Sequence, residues 1–186
     1  AVRAVLAAAL LTSDSPVALA QGAGSDSPVS TRADRVYMEA DEVEHRREAG
    51  VHIARGDVRL ASGSRVIYAD EVEYETTTGR VTARGGVRIF DAGQPAQFAD
   101  EVELDDQLSE GIAYGFATLL ENGGRAAAAS AVRREDGSVR LNRAFYTACE
   151  LCVDGGAPTW RLRANRVVRD LDDQMIYYRD VRLEIA

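Results

Sequence analysis

Hydrophobic and polar residues alternate along most of the chain from residue 35 onward. Apolar side chains occupy every second position of short stretches, with polar or small residues between them. A period of two is typical of a β-strand that buries one face. The pattern therefore predicts an all-β fold of short antiparallel strands. The alternating positions are Val58 and Leu60, Val66 and Tyr68, Val72 and Tyr74, Val87 and Ile89, Val102 and Leu104, and Ile112, Tyr114 and Phe116.

Two motifs recur at a near-constant interval. The segment Ala-Asp-Glu-Val-Glu begins at Ala40, at Ala69 and at Ala99, and the segment Ala-Arg-Gly-x-Val begins at Ala54 and at Ala83. Repetition of this kind indicates a stacked or rolled architecture in which neighbouring units share one core.

One stretch is ambiguous between helix and strand. The segment from Leu119 to Val132 is rich in alanine, which favours a helix. The pairs Gly123-Gly124 and Asp136-Gly137 are typical of turns. We therefore predict two strands joined by a turn rather than a short helix.

The first 34 residues differ from the repeats. Residues 1–20 contain Arg3, an apolar run that ends at Leu11, and a closing Ala18-Leu19-Ala20. These features predict a truncated secretory signal peptide, with a buried helix as the alternative. The apolar run is shorter than the about 20 residues that span a membrane. Residues 21–34, rich in Gly and Ser, predict a flexible linker, and residues 35–186 are the predicted β-domain.

Composition limits the possible partners but does not decide whether the interior is filled. The chain has 22 Lys and Arg against 30 Asp and Glu, a net charge of -8, and no concentrated basic stripe. Nucleic acid needs such a stripe, so we predict no nucleic-acid partner. Aromatic residues make up only 6% of the chain. The interior is therefore either a packed core or a trough that accepts apolar chains, and periodicity alone favours the packed core.

The sequence predicts no enzyme, no cofactor and no metal site. Calcium would suit the acidic repeats, but Asp70 and Glu71 are adjacent and point to opposite faces of a strand, which favours a solvated surface. Zinc would need two ligands besides the cysteines, and His45 and His52 lie far upstream. The chain lacks a Gly-x-Ser-x-Gly elbow and a phosphate-binding glycine loop.

Cys149 and Cys152 are the only cysteines. A thioredoxin-like pair opens a helix, whereas this pair follows strand-like residues and precedes a Gly-Gly-Ala-Pro turn. In an oxidising compartment both thiols are expected to enter disulfides, with each other or with cysteines elsewhere in a longer chain.

Three parts of the second half of the chain stand out beside the repeats. They are Phe145-Tyr146-Thr147-Ala148-Cys149, Pro158-Thr159-Trp160, and residues 163–170 with 176–184. The repeats resemble the OstA-type periplasmic domains of lipopolysaccharide transport proteins, and these segments are similar to the end of the N-terminal domain in the LptD family of outer-membrane lipopolysaccharide assembly proteins. The resemblance covers residues 35–186.

The resemblance implies an elongated, twisted β-jellyroll that is open along one side and receives the acyl chains of lipopolysaccharide. Such a domain accepts its cargo from a periplasmic bridge protein of the same fold by edge-to-edge β pairing. It then passes the cargo to an outer-membrane β-barrel with a plug lipoprotein, for insertion in the outer leaflet. The implied location is the periplasmic face of the outer membrane of a Gram-negative bacterium. The alternatives are a soluble periplasmic carrier of the same pathway and a structural exported β-repeat scaffold.

Ten inward positions are predicted to contact lipid, and the resemblance assigns the cysteines. Cys149 matches the cysteine of the family's Tyr-Thr-x-Cys motif, which implies a disulfide to a barrel expected after Ala186. Cys152 is expected to do likewise or to pair locally. The predicted lipid-binding residues are Val58, Leu60, Val66, Tyr68, Val72, Val87, Ile89, Phe98, Val102 and Leu104.

Overall fold

The computed structural model describes residues 35–120, 123–148, 158–170 and 174–185, and these ranges contain strands and turns but no helix. The predicted signal peptide, the linker, Cys149 and Cys152 lie outside the described residues. No helix long and apolar enough to cross a membrane occurs in the described ranges. The strands are β1 (Tyr37–Glu39), β2 (Glu42–Arg46), β3 (Val51–Ser62), β4 (Arg65–Glu75), β5 (Arg80–Asp91), β6 (Gln97–Leu104), β7 (Gly111–Leu119), β8 (Arg125–Arg133), β9 (Val139–Thr147), β10 (Trp160–Arg169) and β11 (Ile176–Ile185).

All eleven strands belong to one antiparallel sheet. From β3 to β11 each strand pairs with the next one in the chain. The short strands β1 and β2 both pair with β3, opposite residues 59–61 and 51–55, and together form one interrupted edge. The other edge is β11. The predicted all-β antiparallel fold is confirmed. The alanine-rich segment from Leu119 to Val132 contains the last residue of β7 and most of β8, and its described residues are not helical.

A bend at one level of the sheet explains the first repeated motif. In β4, Ala69 and Val72 are both buried although they lie three positions apart, and Asp70 between them is exposed. A straight strand buries positions two apart, so the spacing of three marks a corner where the strand changes layer. The same spacing separates the inward residues of the other strands from β6 to β10: Ala99 and Val102, Ala113 and Phe116, Ala128 and Ala131, Leu141 and Ala144, and Ala164 and Val167.

The second motif crosses the same corner with one more residue. In β5 the buried pair is Ala83 and Val87, four positions apart, and the pairing register shifts between Arg84 and Val87. Gly85 and Gly86 occupy this bulge with φ of 78° and 51°. Residues with a side chain disfavour such φ values. Both copies of the motif have glycine at the first of these positions, Gly56 and Gly85, whereas Asp57 takes the second position in β3 with φ of 41°.

The aspartate of the first motif packs against the glycine of the neighbouring strand. A Cβ at any of these glycines would overlap the aspartate side chain, so only a bare backbone fits beneath it. The acidic repeats are therefore part of the corner. The described residues contain no group of three His, Cys, Asp or Glu side chains that could hold a metal ion. The three contacts are Asp41 over Gly56, Asp70 over Gly85 and Asp100 over Gly115.

The sheet folds back so that its two layers face each other. Asp91 at the end of β5 and Arg133 at the end of β8 form an ion pair of 3.5 Å, although these strands are not neighbours in the sheet. Leu108, in the turn between β6 and β7, is 1% exposed and closes the space between the layers. Branched apolar residues of β3, β4 and β5 fill one part of this interior: Val58, Leu60, Ile67, Val72 and Val87.

Replacing Gly85 with alanine is expected to destabilise the protein more than replacing Gly86. At Gly85 the new Cβ would meet Asp70, whereas at Gly86 it would meet nothing within 4 Å. We expect the free energy of unfolding to fall by about 3 kcal/mol for Gly85→Ala and by about 1 kcal/mol for Gly86→Ala. Urea denaturation measures both losses. Equal losses would contradict a role for the Asp70 contact.

Candidate functional site

A cavity of about 760 Å³ lies in the interior, and most of its lining residues come from β6 to β10. This volume falls within the roughly 300–1,000 Å³ of typical ligand sites. The buried corner residues here are mainly alanines, which leave space that larger side chains would fill. These alanines are Ala113, Ala131, Ala144 and Ala164. Larger apolar residues complete the wall: Ile67, Ile89, Val102, Leu104, Ile112, Phe116, Leu141, Leu162, Val167 and Tyr178.

Seven of the ten predicted lipid-binding residues face the interior, but only some of them line the cavity. Ile89, Val102 and Leu104 form part of its wall. The other four are buried in the packed part of the core. Contact of any of these residues with lipid stays a prediction. The four packed residues are Val58, Leu60, Val72 and Val87.

The prediction that Val66, Tyr68 and Phe98 face inward is wrong. In β4 the buried neighbours are Ile67 and Ala69, so positions 66 and 68 lie on the outer face. Phe98 is 37% exposed, while the adjacent Ala99 is buried. The cause is the corner, because a spacing of three residues reverses which positions of a strand point inward.

Contacts on the outer face agree with this placement. The ring of Tyr68 lies 5.9 Å from that of Phe90, edge to face, and the guanidinium of Arg88 lies 5.3 Å from the Tyr68 ring. Arg88 is paired with Phe98 on β6. These aromatic residues therefore form an outer cluster around an arginine, where cation–π attraction holds them together.

One end of the cavity is polar. Arg65 donates a hydrogen bond from Nη2 to Oδ2 of Asp91 at 2.6 Å, and the two side chains are only 11% and 13% exposed. Nη1 of Arg133 approaches the same oxygen to 3.5 Å. Arg65 also donates to the carbonyl oxygen of Leu108. We call this group the rim cluster; it consists of Arg65, Asp91, Gln94, Arg133 and Arg169, all of which line the cavity.

The rim cluster holds Asp91 in its ionised form. Burial by itself raises the pKa of the Asp91 carboxyl. Hydrogen bonds from Arg65 and from the Ser64 hydroxyl, together with the charges of Arg65 and Arg133, outweigh burial and leave the pKa below its usual value. A charged carboxylate therefore joins the two layers of the sheet at this end.

The opposite part of the sheet brings the two histidines together. His45 on β2 is paired with His52 on β3, and their ring centroids lie 4.1 Å apart in a stacked arrangement. The ring of Tyr74 on β4 follows at 6.2 Å from that of His52. No pattern in the sequence relates these two histidines to each other. Only the strand register shows that they form a stack.

Comparison with known proteins gives one family. The model of the LptA/(LptD N-terminal domain) LPS transport protein family matches residues 37–175, a range that includes every strand from β1 to β10. Among solved structures, LptH of Pseudomonas aeruginosa, the LptA-homologous periplasmic component of the lipopolysaccharide transport device, is similar to this chain. The alignment has 16% identity and a TM-score of 0.33, and it covers 83% of this chain and 97% of LptH. A search among curated proteins found no match.

Asp91→Asn is expected to lower the unfolding free energy at neutral pH and to make that free energy depend less on pH. The substitution leaves Arg65 largely buried without its counter-charge, which costs about 3 kcal/mol of unfolding free energy. Because folding lowers the pKa of Asp91 below 3.8, its carboxylate stabilises the protein above about pH 4, and this contribution disappears as the pH falls through the folded-state pKa. Urea denaturation between about pH 7 and pH 2 measures both effects.

The matched control for this experiment is Asp106→Asn. Asp106 is exposed in the turn between β6 and β7, and its substitution should change the unfolding free energy by less than about 0.5 kcal/mol. If Asp91→Asn behaved like Asp106→Asn at neutral pH, the ion pairs of Asp91 would not stabilise the fold.

Proposed function

Because the chain belongs to the family of LptA and LptD N-terminal domain lipopolysaccharide transport proteins, we propose that it receives lipopolysaccharide from a bridge of similar domains and passes it to an outer-membrane β-barrel. The family is a family of transport components rather than enzymes. Its members are periplasmic and associated with the outer membrane. The proposed location of this domain is the periplasmic face of that membrane.

The observation that carries the proposal is the cavity between the layers of the sheet. Its wall combines small alanines with Ile112, Phe116, Leu141 and Val167, and it meets polar groups at one end. Acyl chains gain about 0.8 kcal/mol for each methylene that leaves water. A wall of this kind therefore binds apolar chains without a catalytic group, and the sugars of the lipid stay in solvent.

The two edges of the sheet offer sites for similar domains. At one edge β1 and β2 contain eight residues in two short pieces, and at the other β11 contains ten residues in one piece. Val181, Leu183 and Ile185 of β11 are 45%, 59% and 76% exposed. An exposed apolar edge is a template for another strand. Pairing at both edges would connect the interior of this domain with those of its partners.

The final transfer is proposed to involve a β-barrel and its plug lipoprotein. In this proposal Cys149, and Cys152 in the same way or through a local bond, links the domain to the barrel by a disulfide. Such a link would fix the position of the domain beneath the barrel. It would keep the distance short that the lipid crosses between the cavity and the barrel.

Photocrosslinking in cells tests the proposed lipid site. A photoreactive residue at Val167 or Leu141 is expected to form adducts with lipopolysaccharide, because both side chains line the cavity. The neighbouring positions Arg166 and Asn142 are the matched controls, since successive residues of a strand point to opposite faces. Little adduct is expected at either control. Equal labelling at Val167 and Arg166 would contradict binding in the cavity.

Lysine substitutions test the two edges. Met38→Lys places a charge in β1 and Val181→Lys places one in β11, and charged residues disfavour edge pairing. We expect one of them to reduce binding to a purified bridge protein of the same fold in a size-exclusion assay. Leu119→Lys, at an exposed position inside the sheet, is the control and should bind normally. Normal binding by both edge variants would rule out edge-to-edge pairing with that protein.

A further inference from the structure

The rim cluster contains more positively charged side chains than negatively charged ones. Asp91 accepts from Arg65 at 2.6 Å and lies 3.5 Å from Arg133, so one carboxylate serves two guanidinium groups. Arg169 donates from Nη1 to the side-chain oxygen of Gln94, an uncharged partner, at 3.3 Å. Within the cluster, three arginines therefore share a single carboxylate.

Arg65 makes contacts of its own at this end of the cavity, apart from those of Arg133 and Arg169. Arg65 contacts both Asp91 and the carbonyl oxygen of Leu108, and it thereby joins β4 and β5 to the turn between β6 and β7. Arg133 and Arg169 add charge at the same place. Burial, and repulsion by Arg65 and Arg169, lower the pKa of Arg133 from its ordinary value. Two positive charges that repel each other are more stable when an anion lies between them.

Arg133 also has a donor that is unused. Its Nε atom is buried and has no hydrogen-bond partner among the described residues. Buried polar atoms of native proteins nearly always have a partner, and an exception calls for an explanation such as a bound ion or ligand. Guanidinium groups bind phosphate and carboxylate through paired N–H donors, so an anion is the group that this donor fits.

We propose that Arg133 and Arg169 bind the anionic head group, phosphate or carboxylate, of an amphiphile whose apolar chain lies in the cavity. This inference rests on the proposed function and adds to it a site for the head group. The adjoining apolar wall distinguishes an amphiphile from a free anion, because a free anion would gain nothing from Leu141 and Val167. The cluster lies where the cavity meets solvent, since Gln94 and Arg169 are exposed.

Three probes separate the contributions of the alkyl chain and of the charged head group. Dodecyl phosphate carries both, dodecyl maltoside carries the same chain with an uncharged head, and inorganic phosphate carries the charge alone. Calorimetric titration of the full chain below the micelle concentrations measures each dissociation constant. We expect dodecyl phosphate to bind about tenfold more tightly than dodecyl maltoside, the advantage expected of one charged hydrogen bond. Inorganic phosphate alone should bind far more weakly than either.

Substitutions then assign the charge effect to the two arginines. Arg169→Gln and Arg133→Gln should each remove most of the tenfold advantage of dodecyl phosphate over dodecyl maltoside. Arg166→Gln is the matched control: it removes the same charge from the same strand, at an exposed position on the outer face, and should keep the advantage. Arg169→Lys, which retains the charge, should restore part of it.

The outcomes distinguish this inference from the proposed function. Equal affinity for the two dodecyl probes would overturn the head-group site while leaving a lipid-binding cavity. Tight binding of inorganic phosphate alone would overturn the assignment to an amphiphile. Failure of both dodecyl probes to bind would overturn the cavity as a lipid site and the inference with it. Loss of the advantage in Arg166→Gln would show a general effect of net charge rather than a site.

Discussion

The whole interior depends on keeping apolar residues on the inner side of a sheet that bends. Successive residues of a strand alternate between faces, so a strand that passes around a corner must keep its inner face on both sides of it. Most strands do so by spacing two inward residues three positions apart, as Ala69 and Val72 are. β5 inserts one more residue through Gly85 and Gly86. The carboxylate of Asp70 lies against Gly85, so the two solutions fit each other in neighbouring strands.

This corner also decides which parts of the fold the sequence could predict. A period of two identifies strands wherever they are straight, and it located the strands correctly. In β3 and β5 the corner shifts the alternation by one residue and the bulge shifts it by one more. The two shifts cancel, so inward residues such as Val58 and Val87 were correctly predicted. In β4 and β6 only the corner acts, and Tyr68 and Phe98 were therefore assigned to the wrong face. The repeated Ala-x-x-Val spacing carried this information, although a strictly alternating pattern hides it.

The cavity and its rim were harder to predict because they depend on contacts between distant strands. Alanine at Ala131 or Ala144 resembles any small residue in the sequence, and only the facing layer shows that it leaves space rather than packing against a larger neighbour. Arg65 and Asp91 are paired on the neighbouring strands β4 and β5, and the folding back of the sheet brings Arg133, at the end of β8, to this pair. No short-range pattern in a sequence reports a contact of this kind.

The position of the charges is consistent with an interior that has to remain apolar. Moving a guanidinium group into an apolar site without a partner is costly, so arginines inside the cavity would oppose the binding of acyl chains. At the rim, Arg133 and Arg169 retain access to solvent while their charge still reaches the end of the cavity. Asp91 fixes Arg65 in place and neutralises it, whereas Arg133 keeps an unpaired Nε donor for a ligand. The same few residues therefore close the layers and leave the apolar wall next to a positive group, which is the arrangement that an amphiphile with an anionic head requires.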